Sequence, residues 1–292
     1  MQNKNKSFIN NLQIFYKTID KYRQKAYNLY RGGVGLNMKP PVIYVISSMK
    51  GGVGKTITAL QIADYFSKSG KRTLLIDLDE QRNLTLAAKV KILPDEKSSY
   101  DVLLSPETIN DAIREVGENL FLVPASGRLA SIDTELQDLG KEQHLKEAIE
   151  LLKTEFDYIV IDCAPAFKLA TLNAFVIPNA RVITPAFCDD FGVNSIQELL
   201  KFVSQVRKYA NNTLVIEGIL LTMYSNRNIL TRQYTGYIEE YAKKIGTKVF
   251  KTRIRSAIAI REALANKQSI FDYAPESKVA EDYRNFIKEL EG

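Results

Sequence analysis

Met49-Lys50-Gly51-Gly52-Val53-Gly54-Lys55-Thr56 follows the apolar run Val42–Ser47 and leads into helical periodicity near 55–69. The order is strand, glycine-rich loop, helix. Glycines let the backbone curl until successive N–H groups point inward at phosphate oxygens, and the helix start adds the positive end of its dipole. Lys55 has the reach for the β- and γ-phosphates of a nucleotide, and the Thr56 hydroxyl suits Mg²⁺. Lys50, Gly51, Gly52, Val53, Gly54, Lys55, Thr56 and Ile57 are the candidate phosphate cradle. Met49 stands where the pattern G-x-x-x-x-G-K-[ST] opens with Gly, so the form present is K-G-G-x-G-K-[ST]. The earlier Gly32-Gly33-Val34-Gly35 lacks the Lys-Thr pair and a preceding strand, and reads as linker.

Outward from the loop, short β-branched runs alternate with helical periodicity. Beyond Val42–Ser47 the runs are Thr73–Asp77, Leu120–Val123, Tyr158–Asp162, Arg181–Thr184 and Val215–Thr222, with a weaker one at Lys248–Lys251. Helical stretches fill 141–154, 192–209, 229–244 and 276–290. Apolar strands alternating with helices predict crossover units and a mostly parallel sheet covered on both faces. The reading is α/β, one doubly wound domain of the P-loop type over residues 41–292.

Two strands end in acid. Leu74-Leu75-Ile76-Asp77-Leu78-Asp79 carries carboxylates at i and i+2, which share a face of an extended chain. Asp79 is then placed to orient a water and Asp77 to support Mg²⁺. Tyr158-Ile159-Val160-Ile161-Asp162 is an apolar strand closing on a carboxylate, which suits Asp162 to Mg²⁺ through water.

Composition narrows the rest. The chain has 292 residues, 45% of them hydrophobic and 25% charged, which excludes wholesale disorder. No apolar run approaches the ~18 residues of a membrane span. Two cysteines, Cys163 and Cys188, make no disulfide framework, and no secretory signal is visible, so the expected setting is the cytoplasm. A single histidine, His144, excludes multi-histidine metal sites. Charge is uneven. Residues 1–40 hold eight Lys/Arg and one acid, and residues 201–261 hold twelve Lys/Arg against Glu217, Glu239 and Glu240. Basic zones of this kind suit a polyanion. Residues 1–40 read as an extension: Phe8, Leu12, Phe15, Ile19, Tyr22, Ala26 and Leu29 make a heptad seam on one amphipathic helix, then linker. Packing on its own domain, a dimer contact, or membrane or DNA contact are its open roles.

The motifs together resemble the ParA/Soj family of DNA-partition ATPases, in the deviant Walker-A group that includes MinD. The likeness runs from about residue 42 to 288. It rests on Lys50 to Thr56, on Leu74 through Gln81 (L-L-I-D-x-D-P-Q in the family) and on Ile161-Asp162-Cys163-Ala164-Pro165 (I-D-C-P-P). Ile183-Thr184-Pro185 with Cys188, Gly218 through Met223, and Ser277-Lys278 with Ala280-Glu281 and Tyr283 extend it.

The resemblance implies ATP and Mg²⁺ as ligands and a slow ATPase. It implies a homodimer around two ATP molecules, with Lys50 reaching the partner's nucleotide and Gly51 small for that approach. That dimer would bind DNA without sequence preference, associate with the nucleoid, and be released by a ParB-like centromere-binding protein that stimulates hydrolysis. Lys50, Lys55 and Asp79 would be catalytic, and Thr56, Asp77 and Asp162 would serve the metal. The family's first DNA-contact arginine falls on Arg227. Its second falls on Ala259, with Arg255 and Arg261 nearby as stand-ins. Arg255 also replaces a family Pro beside the adenine, Glu80 another Pro, and Arg82 a Gly. A MinD-like membrane ATPase is the alternative, but the closing segment Ala280–Gly292 carries four acids against Arg284 and Lys288 and makes a poor anchor.

Overall fold

The computed structural model describes residues 40–225 and 229–292. The expected N-terminal helix and Arg227 lie outside the described residues.

Seven strands form one sheet: β1 (Val42–Ile46), β2 (Thr73–Leu78), β3 (Arg114–Gly117), β4 (Leu120–Val123), β5 (Tyr158–Cys163), β6 (Arg181–Ala186) and β7 (Val215–Leu221). Their order is β3-β4-β2-β5-β1-β6-β7. Every pairing is parallel except the antiparallel β3–β4 edge. The inner strands are apolar along their length because both faces are covered. Ile43, Val45, Leu74, Ile76, Ile159 and Ile161 face one core, while Tyr44, Ile46, Leu75 and Val160 face the other.

The helices named here are α1 (Lys55–Lys68), α2 (Asn83–Ala87), α3 (Ser99–Leu104), α4 (His144–Glu150), α5 (Leu169–Phe175), α6 (Asp190–Tyr209), α7 (Ile229–Lys244), α8 (Ile258–Ala265) and α9 (Lys278–Glu291). Helix α1 is buried nearly all round, its apolar Ile57, Leu60, Ile62 and Phe66 together with polar Thr58, Gln61 and Asp64. It packs on the sheet and on α9. Helix α9 buries Tyr283, Phe286, Ile287 and Leu290, each stabilising the layer by about 1.5–3 kcal/mol.

The expected run Lys248–Lys251 is not a strand, yet it lies along the β7 edge. Phe250 N–H donates to Ile219 O at 3.0 Å, and Ile254 N–H donates to Leu221 O at 2.9 Å. Gly218 permits this approach: a Cβ there would stand 2.7 Å from the buried Phe250 ring. Helices α2, α3, α5 and α8 and strand β3 went unread in the sequence. All are eight residues or shorter and show too little periodicity to separate helix from loop.

Register positions the site. Ile46 of β1 and Asp77 of β2 are both level with Asp162 of β5. The phosphate loop therefore leaves β1 beside the two acid-ended strands, at their C-terminal edge, where open α/β sheets bind ligands.

Candidate functional site

The loop is built as its glycines require. Gly52 has φ +75° and Gly54 φ +91°, both left-handed. Gly54 precedes α1 with no side-chain cap, so the first-turn amides are left to a ligand. Val53 is buried and its carbonyl accepts the Thr222 hydroxyl at 2.8 Å, pinning the loop to the end of β7. Among the described residues no atom lies within 4 Å of a Cβ built on Gly51, so none of them demands its small size.

The two loop lysines differ. Lys55 is 7% exposed, and its Nζ donates to Lys50 O at 3.3 Å. Burial lowers its pKa, opposed by the charges of Asp162 and Asp79. Lys50 turns to the loop between β6 and α6. Its Nζ donates to Asp189 Oδ2 at 2.6 Å and lies 4.6 and 5.1 Å from the Phe187 and Phe191 ring centres. Gly192 makes that loop possible, because a Cβ there would stand 2.0 Å from Phe187 O. Within the isolated chain Lys50 is thus tied to its own protomer.

The three carboxylates divide the work. Asp162 is completely buried, and among the described residues neither of its oxygens has a hydrogen-bond partner. Burial, then the neighbouring Asp77, push its pKa well up; Thr56 and Lys55 pull it down. Asp77 is also buried, but its oxygens are engaged. Oδ1 accepts Asp79 N–H at 3.0 Å, and Oδ2 accepts the Thr85 N–H at 2.9 Å and hydroxyl at 2.7 Å. Burial raises its pKa to about 6 against those donors. Asp77, expected to support Mg²⁺, accepts these protein donors and through them anchors the loop that follows. Asp79 lies 6% exposed at the rim, with Oδ1 accepting Gln81 N–H at 2.9 Å.

The arginines fare differently. Arg255 was expected at a DNA surface. Its side chain is 44% exposed and paired with Asp282, with Nε to Oδ2 at 2.6 Å and Nη2 to Oδ1 at 2.7 Å, while its own N–H donates to Oδ2 at 3.0 Å. Arg261 is exposed on α8 and forms no ion pair among the described residues. Between α8 and the phosphate loop runs a narrow, largely apolar slot lined by Ile57, Met223, Ile254 and Ile260, with Arg255 and Arg261 also on its wall. Met223 holds φ +48° at its mouth. Sequence reasoning missed this slot, the Asp189 contact and Thr85, because each arises from pairing across the fold.

His144 Nδ1 meets Leu103 O at 2.6 Å, a structural contact. Cys163 is buried, and burial pushes both thiols up, so neither is a reactive thiolate.

Residues 42–216 match the family model described as an AAA domain. The chain is 37% identical over 250 residues to the sporulation initiation inhibitor protein Soj of Bacillus subtilis, covering 85% of this chain and 97% of that one. It is 33% identical over 251 residues to the chromosome partitioning protein ParA of Myxococcus xanthus, covering 85% and 87%. The chain belongs to the ParA/Soj family. Family membership makes it a P-loop ATPase and explains the strand order and the loop together. A solved structure from Mycobacterium smegmatis, described as cobyrinic acid a,c-diamide synthase with bound ATP analogue and magnesium, superposes with a TM-score of 0.72 at 28% identity, covering 85% and 93%.

Proposed function

We propose that this chain is a DNA-partition ATPase whose ATP-bound dimer holds DNA and whose hydrolysis, stimulated by a centromere-binding partner, lets it go. The observation that carries the reading is Asp162, a fully buried carboxylate with both oxygens unpartnered beside Thr56 and Lys55. A buried anion without donors is costly, and a hydrated divalent cation satisfies it. Thr56 and Asp162 would hold Mg²⁺, the latter through water. Bound there, Mg²⁺ supplies charge neutralisation to the phosphates. The loop amides and Lys55 bind the phosphate oxygens. Asp79, at the rim, orients the attacking water. The slot beside α8 lies next to the cradle and would have to widen to take the adenine. Lys50 leaves Asp189 to meet the nucleotide of a facing copy. Its present partner is 40% exposed, so the contact is weak enough to exchange.

DNA contact is assigned to the basic zone 201–261, with Arg227 and Arg261 as its arginines and Arg255 left out. The MinD-like reading lacks support from α9, whose apolar face is buried against the domain. Among the described residues no helix is long and apolar enough to cross a membrane.

The test is DNA co-sedimentation with ATP, ADP and no nucleotide, repeated with Lys50→Ala and Lys55→Ala. DNA should pellet the protein with ATP alone, and both variants should lose it. If ~6 phosphates are neutralised, the log–log salt slope should be about −5. Binding indifferent to nucleotide or salt rejects the proposal.

A further inference from the structure

The loop from Asp79 to Thr85 is fastened at both ends to one carboxylate. At its start, Asp79 N–H donates to Asp77 Oδ1 at 3.0 Å. At its end, Thr85 gives Asp77 Oδ2 two donors, its N–H at 2.9 Å and its hydroxyl at 2.7 Å. The hydroxyl's direction is settled by a third contact. Ala125 N–H, just past β4, donates to Thr85 Oγ1 at 2.8 Å. A backbone N–H can only donate, so the hydroxyl accepts there and sends its single proton to Asp77. Ser99, at the start of α3, completes the ring by donating its hydroxyl to Asp77 O at 2.6 Å. Thr85 is 2% exposed, Ala125 0% and Asp77 0%, so water is not at hand to replace any of these partners.

From this geometry we infer that Thr85 is a positioning residue for hydrolysis: through Asp77 it fixes the backbone of Asp79, the residue that aims the water. The inference rests on the role given to Asp79 above. Thr85 touches no reacting atom. Its hydroxyl couples three elements, β2, α2 and the end of β4, so that Asp79 departs from a carboxylate that cannot rotate. Removing the hydroxyl leaves Ala125 N–H without an acceptor and Asp77 Oδ2 with one donor instead of two. The carboxylate then keeps one backbone donor on each oxygen but loses its tie through the hydroxyl to Ala125, so it and the Asp79 amide are held less firmly. A displacement of about 1 Å in a catalytic group costs up to ~100-fold in rate.

The experiment compares Thr85→Val, Thr85→Ser and Asp79→Asn in steady-state hydrolysis and in binding of a fluorescent ATP analogue with Mg²⁺. Thr85→Val keeps the shape and loses the hydroxyl. It should lower kcat by about tenfold to 100-fold while the nucleotide Kd stays within about twofold. Thr85→Ser keeps both hydrogen bonds and should restore kcat to within about threefold. Loss of affinity in step with kcat, or failure of Ser to rescue, makes Thr85 a merely structural residue and overturns the inference. So does wild-type kcat in Thr85→Val. Asp79→Asn tests the underlying reading by itself: if that variant hydrolyses normally, the role of Asp79 is wrong whatever Thr85 does. Should Thr85→Val fail to fold, hydrogen exchange on the unaltered protein decides. The amides of Asp79, Thr85 and Ala125 should be protected together, and exchange at free-loop rates overturns the anchor.

Discussion

Two regions were expected to carry function, and the structure treats them in opposite ways. At the C-terminal edge of the sheet, Asp162 is buried with both oxygens unpartnered, a costly arrangement that folding alone does not explain. In the segment beside β7, Arg255 is half-exposed and ion-paired, closed on Asp282 by two side-chain hydrogen bonds. An acid left unsatisfied marks a place kept open for a ligand. A cation already satisfied marks a joint in the scaffold. Charge and sequence position alone rank these two residues alike; partner counting separates them.

The largest effect expected is at Asp162. Asp162→Asn should lower hydrolysis by about 100-fold or more, because the metal loses its buried carboxylate. Stability should move the other way. Asp162 and Asp77 both bind protons more tightly folded than unfolded, Asp77 with a folded pKa of about 6. The stability they contribute is therefore fully present below about pH 4 and drains as pH rises, through about 6 for Asp77 and through the raised pKa of Asp162 for that group. Without nucleotide or Mg²⁺, Asp162→Asn should thus match the parent near pH 4 and exceed it by about 1–2 kcal/mol at pH 8 in urea melts. A variant less stable than the parent at pH 8 would break the comparison, since the carboxylate would then be part of the scaffold.

The second test is at the joint. Arg255→Ala leaves Asp282, whose side chain is 10% exposed, with the Arg255 N–H as its remaining partner at that position. After allowance for the 44% exposure of Arg255, the cost should be about 1–2 kcal/mol. Hydrolysis and DNA co-sedimentation should stay within about twofold of the parent when both are folded. Arg261→Ala should give the mirror result, unchanged melting and weaker DNA binding with a salt slope smaller by about 1. If Arg255→Ala loses DNA and Arg261→Ala does not, the roles assigned to the two arginines are exchanged.

What the sequence discloses follows the same division. The phosphate loop is contiguous, so residues 50–57 could be read from spacing alone. The long apolar strands and helices were legible because periodicity accumulates over their length. Asp77 is legible from spacing, but its hydrogen bonds to Thr85, eight residues on, exist only once β2 has met α2. Lys50 was found, but its partner Asp189 lies 139 residues away and carries no local signal. The Arg255–Asp282 pair and the slot at Met223 share that reason. Contiguous chemistry is visible in one dimension, and chemistry assembled by packing is not.

The smallest effect sharpens where the site region ends. Arg82 sits two residues past the Asp79–Glu80 step, exposed, with φ 59° and ψ 28°, immediately before α2. A left-handed L-residue costs roughly 1–2 kcal/mol, and glycine avoids that cost while adding roughly 0.5–1 kcal/mol of unfolded-chain freedom. Arg82→Gly should therefore stabilise by about 0.5–1 kcal/mol, a rise in Tm of about 1–4 °C for a chain of this size. The Arg82 N–H still reaches Asp79 O, now at 2.9 Å, so hydrolysis should change by less than about twofold. If Tm rises and hydrolysis falls instead, the strain is retained for the guanidinium, and Arg82 belongs with Asp162 among the residues whose unsatisfied state serves the reaction. If neither moves, the left-handed turn is as comfortable for arginine as for glycine, and the boundary of the site lies at Asp79.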